Sequence, residues 1–246
     1  MTSLPRLWSG FSMPSSTYIR LAGPLQSWAG LAVSGNFVRT EPRPTLSALR
    51  GLLAAGLGAK RGQWPTWIDD VHFTLREDKT PKYVDDFQTI GDREDEFTFR
   101  RRLAIMQQMK ATSVKQLKFT PAVGATSISR RTYLAESEFI VRATLEGHTE
   151  EIDQAFASPV FSVYLGRKAF PATFPFYLGT GPAEMLSLIP ALAPNASSKA
   201  TVRIFEPSLG SGVSPEGMSV PAVATRTDWL KGIKELSLHR HATTQR

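Results

Sequence analysis

The 246-residue chain contains no cysteine. That absence excludes disulfides, thiolate zinc sites, iron–sulfur clusters and a cysteine nucleophile together. Long apolar runs are missing too. No window of about 18 apolar residues occurs, so no membrane-spanning helix is expected. The stretch from Met1 to Ser16 is broken by Pro5 and Pro14. It lacks the apolar run of about 7–15 residues that a secretory signal needs, so the cytoplasm is the expected location. Residues 1–16 are expected to be a flexible tail, with Met13 as an alternative start. Histidine is scarce: only His72, His148, His239 and His241 occur, and none shares a metal-ligand spacing with a carboxylate or another core histidine. No Walker loop, GxGxxG or GxSxG motif is present, and nothing assembles a nucleophile, a base and an oxyanion hole. No metal and no cofactor are expected.

What is present is a globular composition, with 41% hydrophobic and 21% charged residues. The formal charge of +7 hides a strong pattern. Residues 1–68 carry +6, residues 69–96 carry −6, residues 97–135 carry +8 and residues 136–246 carry −1. The third stretch holds Arg100, Arg101, Arg102, Lys110, Lys115, Lys118, Arg130 and Arg131 with no carboxylate. Such a run repels itself unless it is solvated or matched by a polyanion, and phosphate backbone is the obvious polyanion. The acids Asp78, Asp85, Asp86, Asp92, Glu94, Asp95 and Glu96 precede it. They suit Mg²⁺, but more simply a solvated hairpin or an intersubunit contact.

Hydrophobic periodicity supplies the element order. Tyr18–Ala22 reads as a strand ended by Gly23-Pro24. Leu49, Leu52, Leu53, Gly56 and Leu57 form one helical stripe, capped by Thr45 or Ser47 and stopped near Gly58. Val71, Phe73 and Leu75 alternate as a half-buried strand. Alternation returns over 133–145, with Tyr133, Ala135, Ser137, Phe139, Val141, Ala143 and Leu145 on one face. A short helix begins at Thr149 and stops at Pro159, and Val160, Phe161 and Val163 look extended. This order is the ferredoxin-like (RRM-like, βαββαβ) pattern, an α+β class. Its four-stranded sheet is a common RNA platform, although no aromatic RNP motif is visible. A long insertion falls between strands two and three, at about residues 80–128. Residues 181–246 read as a small irregular β-rich C-terminal region, with strands near 202–205 and 220–224 and a frayed tail. From the residues alone, the chain reads as a non-catalytic RNA-binding domain with a charged protruding arm, an enzyme being the alternative but with no visible machinery.

Four segments also resemble one family. Tyr18-Ile19-Arg20-Leu21-Ala22-Gly23-Pro24-Leu25-Gln26-Ser27-Trp28 resembles the opening strand and loop of the CasD (Cas "five") subunit family of the type I-E CRISPR Cascade complex. Arg43-Pro44-Thr45-Leu46-Ser47-Ala48-Leu49-Arg50-Gly51-Leu52-Leu53 resembles its first helix, Arg131-Thr132-Tyr133-Leu134-Ala135-Glu136-Ser137-Glu138-Phe139 a later strand, and the Tyr164-Leu165-Gly166-Arg167-Lys168 part of 158–172 its Tyr-Leu-Gly-Arg-Arg segment. The motifs occur in order over about residues 17–180.

The resemblance implies a subunit that caps the Cascade backbone, holds the 5′ handle of the CRISPR RNA, and meets the backbone subunit CasC and the large subunit CasA. Target DNA is then reached only through the complex. The insertion becomes the family's thumb. Type I-C relatives cut precursor RNA without metal, using a Tyr before the Pro-Thr-x-Ser segment and a later Lys-His pair. Here Thr40-Glu41-Pro42-Arg43 precedes Pro44, and no Lys-His dipeptide exists. The chain is therefore expected to bind and not to cut, with a metal-independent endoribonuclease as the alternative. Gln26 suits a base edge, with Ser27 beside it. Trp28 suits base stacking or core packing. Thr45 and Ser47 suit a phosphate at the helix start or a simple cap. Arg43, Arg50, Arg100, Arg101, Arg102, Arg130, Arg131, Arg167 and Lys168 are phosphate candidates, or else solvated charges.

Overall fold

The computed structural model describes residues 15–28, 37–90, 127–207, 215–236 and 238–240. Arg100, Arg101 and Arg102 lie outside the described residues. Eleven strands and four α-helices are assigned among them. The strands are β1 (Ser16–Ala22), β2 (Leu25–Gln26), β3 (Phe37–Val38), β4 (His72–Lys79), β5 (Lys82–Ile90), β6 (Ser127–Ala135), β7 (Glu138–Thr144), β8 (Tyr177–Gly181), β9 (Ala191–Leu192), β10 (Lys199–Phe205) and β11 (Glu216–Val223). The helices are α1 (Leu46–Gly56), α2 (Thr149–Ala157), α3 (Met185–Leu188) and α4 (Arg226–Glu235). A 3₁₀ turn covers Thr66–Asp70.

The larger sheet has seven strands in the order β8-β1-β7-β4-β10-β11-β9. Every neighbouring pair is antiparallel except β11 with β9. Helix α1 links β1 to β4, and α2 links β7 to β8. The two-residue alternation of strands explains the two cores. Ile19 and Leu21, Phe73 and Leu75, and Phe139, Val141 and Ala143 face α1 and α2. Tyr18, Ile140 and Leu178 face the other way, under α3 and α4. Helix α1 buries Leu49, Leu52 and Leu53, each worth roughly 2 kcal/mol. It crosses α2 at Gly56, where a Cβ would lie 2.3 Å from the Ala155 carbonyl oxygen.

A second sheet is built around β6. β5 runs along one edge of it, from Lys82↔Ala135 to Ile90↔Ser127. β2 and β3 share the other edge. β5 and β6 flank residues 91–126, which make up most of the expected insertion and lie outside the described residues.

Three readings of the pattern are corrected. The alternation over 133–145 is two strands in two sheets. Glu136 takes a φ of 56°, and this left-handed residue swings the chain from β6 into β7. The segment 160–163 is not a sheet strand. Val160 and Phe161 donate their amides to the carbonyls of Gly56 and Ala55. They satisfy the open end of α1, and the strand after α2 is β8. The C-terminal stretch is more regular than expected. β10 joins the edge of β4, and α4 buries Trp229 and Ile233.

Charged groups fasten that stretch to the sheet. Arg76, fully buried, donates to Asp78 at 2.6 Å and to the carbonyls of Leu186 and Ile189 at 2.5 and 2.7 Å. Glu138 accepts from Arg20 at 2.8 Å and from Arg226 at 2.6 Å. Burial pulls its carboxyl up, but the hydrogen bonds from Arg226 and Arg20 outweigh burial and leave its pKa below the ordinary value.

Candidate nucleic-acid interface

The start of α1, the 164–170 loop and the β3 side of β6 enclose a cleft of about 630 Å³. Its walls include Ser27, Trp28, Thr45, Ser47, Arg131 and Arg167, together with Arg61, Trp64, Phe161 and Tyr164. The loop is held on Ser27, whose amide donates to the Leu165 carbonyl at 3.0 Å. Gly166 has a φ of 85°, and a Cβ there would fall 1.6 Å from the Ser27 carbonyl oxygen. Only glycine satisfies both conditions.

Helix α1 presents its N-terminus to this cleft. Thr45 is the N-cap and accepts from the Ala48 amide at 3.3 Å. The Ser47 hydroxyl lies 3.2 Å from that of Thr45. No acidic residue occupies the first turn, so the positive end of the helix dipole is uncompensated there. Thr45 therefore caps the helix and lines the cleft at once.

Pleating separates the two β6 arginines, because successive side chains leave a strand on opposite faces. Arg131, opposite Val38 of β3, lines the cleft. Arg130 is paired with Asp85 across the β5–β6 ladder. That hydrogen bond, with a second from Thr132, holds the Asp85 carboxyl below its usual range. Arg167 donates to the Tyr133 hydroxyl at 2.5 Å. Tyr133 in turn donates to Asp86 at 3.2 Å, and burial pushes its hydroxyl pKa up. Lys168 lies on the far side of the same loop, in a second concavity with Asp85, Asp86 and Tyr133. Of the acidic run, Asp78 pairs with Arg76, Asp85 with Arg130 and Asp86 with Tyr133, while Asp92, Glu94, Asp95 and Glu96 lie outside the described residues. No group of three metal-ligating side chains occurs among the described residues.

Four nominated residues are engaged within the fold, and for Trp28 the core-packing reading is the one the structure shows. Gln26 is fully buried. Its amide donates to the carbonyls of Leu21 and Ser137 at 3.2 and 3.0 Å, and its oxygen accepts from Trp28 Nε1 at 3.0 Å. Both amide protons are used, and burial closes the second lone pair of the oxygen to a base edge. Trp28 is 1% exposed, so it forms the cleft's back wall and not an open stacking face. Arg50 points away from the cleft and pairs with Asp69 at 3.0 Å, tying α1 to the 3₁₀ turn. Arg43 is also occupied, with its guanidinium 3.8 Å from the Phe205 ring centroid.

Comparison with known proteins places this architecture. A model of the family described as CRISPR-associated protein (Cas_Cas5) matches residues 18–227. The chain belongs to that family. It is 29% identical over 187 residues to the CRISPR system Cascade subunit CasD of Escherichia coli (strain K12), across 68% of this chain and 72% of the relative. It superposes on a chain of a solved CRISPR RNA-guided surveillance complex with a TM-score of 0.63 at 24% identity, covering 89% of this chain and 98% of that one. The shared fold is a mixed α+β arrangement.

In this Cas5-family chain the four resembling segments converge. Ser27 and Trp28, then Thr45, Ser47 and Gly51, then Arg131, then Tyr164, Gly166 and Arg167 all reach the one cleft. Sequence reasoning missed Arg61 and Trp64. They sit on the turn after α1, where no hydrophobic period operates. The one available signal was an aromatic residue beside Gly62 and Pro65, in a segment with no apolar stripe to join.

Proposed function

We propose that the chain is a type I-E Cascade subunit that holds the 5′ handle of a CRISPR RNA in the cleft and caps the backbone filament without cutting the RNA. The carrying observation is the convergence of Ser27, Trp28, Thr45, Ser47, Arg131 and Arg167 on one concave surface. Arginines, a helix N-terminus with no acidic residue in its first turn and partly exposed aromatics are what a splayed single strand requires: charge for phosphates and flat faces for bases. Family membership supports the assignment to a CRISPR ribonucleoprotein.

In this reading β1-α1-β4-β7-α2-β8, with strand order β8-β1-β7-β4, is a ferredoxin-like unit spanning about residues 17–180. The β5–β6 ladder is the root of a thumb. Within the C-terminal region, 181–246, helices α3 and α4 brace the opposite face. CasC and CasA are the expected neighbours, target DNA is met through the complex, and the setting is the cytoplasm. The missing Tyr before Pro44 and the absent Lys-His pair support binding without cleavage.

The test is co-expression of the full chain with the neighbouring Cascade subunits, followed by sequencing of the RNA that co-purifies. Guide RNA with a common 5′ end is expected, and its retention should fall in R131A and R167A. Separately, labelled repeat RNA incubated with the chain in the absence of metal should stay intact. Specific metal-free cleavage abolished by one substitution in this chain would instead establish the endoribonuclease alternative.

A further inference from the structure

Helix α1 carries two glycines, and glycine is a poor choice in a helix interior. Gly56 is explained by the crossing with α2. Gly51 has no such constraint. A Cβ at Gly51 would meet a single neighbour, Trp64 Cη2 at 3.9 Å. The helix is kept bare beneath an indole ring. Trp64 itself stands apart from the other described tryptophans. Trp28 and Trp229 are buried and donate Nε1–H to Gln26 Oε1 and to the Pro190 carbonyl. Trp67 stacks on His148 at 4.5 Å between centroids. Trp64 is 39% exposed, and its Nε1 has no partner among the described residues.

The surroundings identify what that ring is for. Phe161 and Tyr164 line the same cleft and are 48% and 37% exposed. Arg61 and Arg131 line the cleft too, with no ion-pair partner among the described residues. A cleft with several uncovered aromatic faces and unpaired cations matches single-stranded nucleic acid, whose bases stack while its phosphates meet the arginines. We propose that Trp64 is a base-stacking platform for single-stranded RNA, and that the absence of a long side chain at Gly51 leaves the indole room over α1: a Cβ there makes an ordinary contact at 3.9 Å, while a longer side chain would take the place of the ring. This rests on the reading of the cleft as an RNA site and names one of its subsites.

The experiment measures binding of the full chain to a labelled single-stranded oligoribonucleotide, and in parallel to inorganic polyphosphate as a probe with charge and no bases. W64A is expected to weaken RNA binding about 5- to 100-fold, the range for one lost base stack, with polyphosphate binding unchanged. W64F should recover most of the RNA affinity. G51L, whose side chain must push the indole aside, should behave like W64A. The platform is overturned if W64A binds RNA like the wild type while R131A does not, a result that leaves the cleft reading standing. It is equally overturned if W64A loses RNA and polyphosphate affinity in the same proportion. If the wild-type chain has no affinity for either probe, the cleft reading falls and the platform falls with it.

Discussion

Gly166 and Ser27 are in such close backbone contact that no side chain fits between them: a Cβ on Gly166 would lie 1.6 Å from the Ser27 carbonyl oxygen. This contact seats the 164–170 loop against the end of the first strand segment. Through it, Arg167 and Tyr164 are set opposite the start of α1, so the shape of the cleft depends on one hydrogen atom.

The G166A variant should therefore lose stability and RNA binding together. Left-handed backbone alone costs an L-residue about 1–2 kcal/mol, and the overlap with Ser27 adds to it. A fall in stability of at least about 2 kcal/mol by denaturant unfolding is expected. G51A is the contrast. Its Cβ meets only an ordinary contact at 3.9 Å, so stability should rise by up to about 1 kcal/mol. If G166A unfolds like the wild type, the loop is not seated as described.

Glu138 is the hinge of an ion triad with the buried Arg20 and the half-buried Arg226. Its pKa in the folded chain is lowered from the ordinary 4.5. A lowered carboxylate pKa adds stability that is fully present above pH 4.5 and lost as pH falls through the folded value. The difference in unfolding free energy between wild type and E138Q should thus be large at pH 7 and shrink in acid. Leaving the buried Arg20 guanidinium without its carboxylate costs about 3–5 kcal/mol at neutral pH, and the half-buried Arg226 adds less. A pH-independent difference would show that Glu138 is not held as the ion.

Arg131 and Arg50 separate a binding arginine from a structural one. R131A should weaken single-stranded RNA binding and reduce the salt slope by about 0.7, the value for one phosphate contact. R50A should leave both unchanged, because its guanidinium is already engaged by Asp69. Its stability cost should be at most about 1 kcal/mol for a partly exposed pair. Binding titrations at four salt concentrations decide between them, and an R50A effect matching R131A would remove the distinction.

The triple arginine is a sequence-level expectation. Arg100, Arg101 and Arg102 lie in the carboxylate-free basic stretch. Changing all three to alanine should weaken guide retention and flatten its salt dependence by up to about two units. The melting temperature of the isolated chain should barely move. Normal Cascade assembly with an unchanged salt slope would remove this cluster from the RNA-binding surface.

The sequence by itself determined the elements whose identity is local. The 3.6-residue stripe Leu49-Leu52-Leu53 required α1, Thr45 marked its cap, and the alternation at Val71-Phe73-Leu75 and Phe139-Val141-Ala143 required strands with one covered face. The four family segments were also legible, because each is a contiguous run. Tertiary structure decided everything that depends on a distant chain neighbour. Gln26 is chemically equal to the task of reading a base, and only the Ser137 carbonyl, 111 residues away, turns it inward. Arg76 is a charge on an amphipathic strand until α3 closes over it from 110 residues away. Trp64 belongs to no period, and only the folded chain brings it over Gly51 into the cleft. Alternation states that two faces differ; which face is sealed, and by what, is set by the burial of apolar area and the pairing of polar groups between segments far apart in sequence.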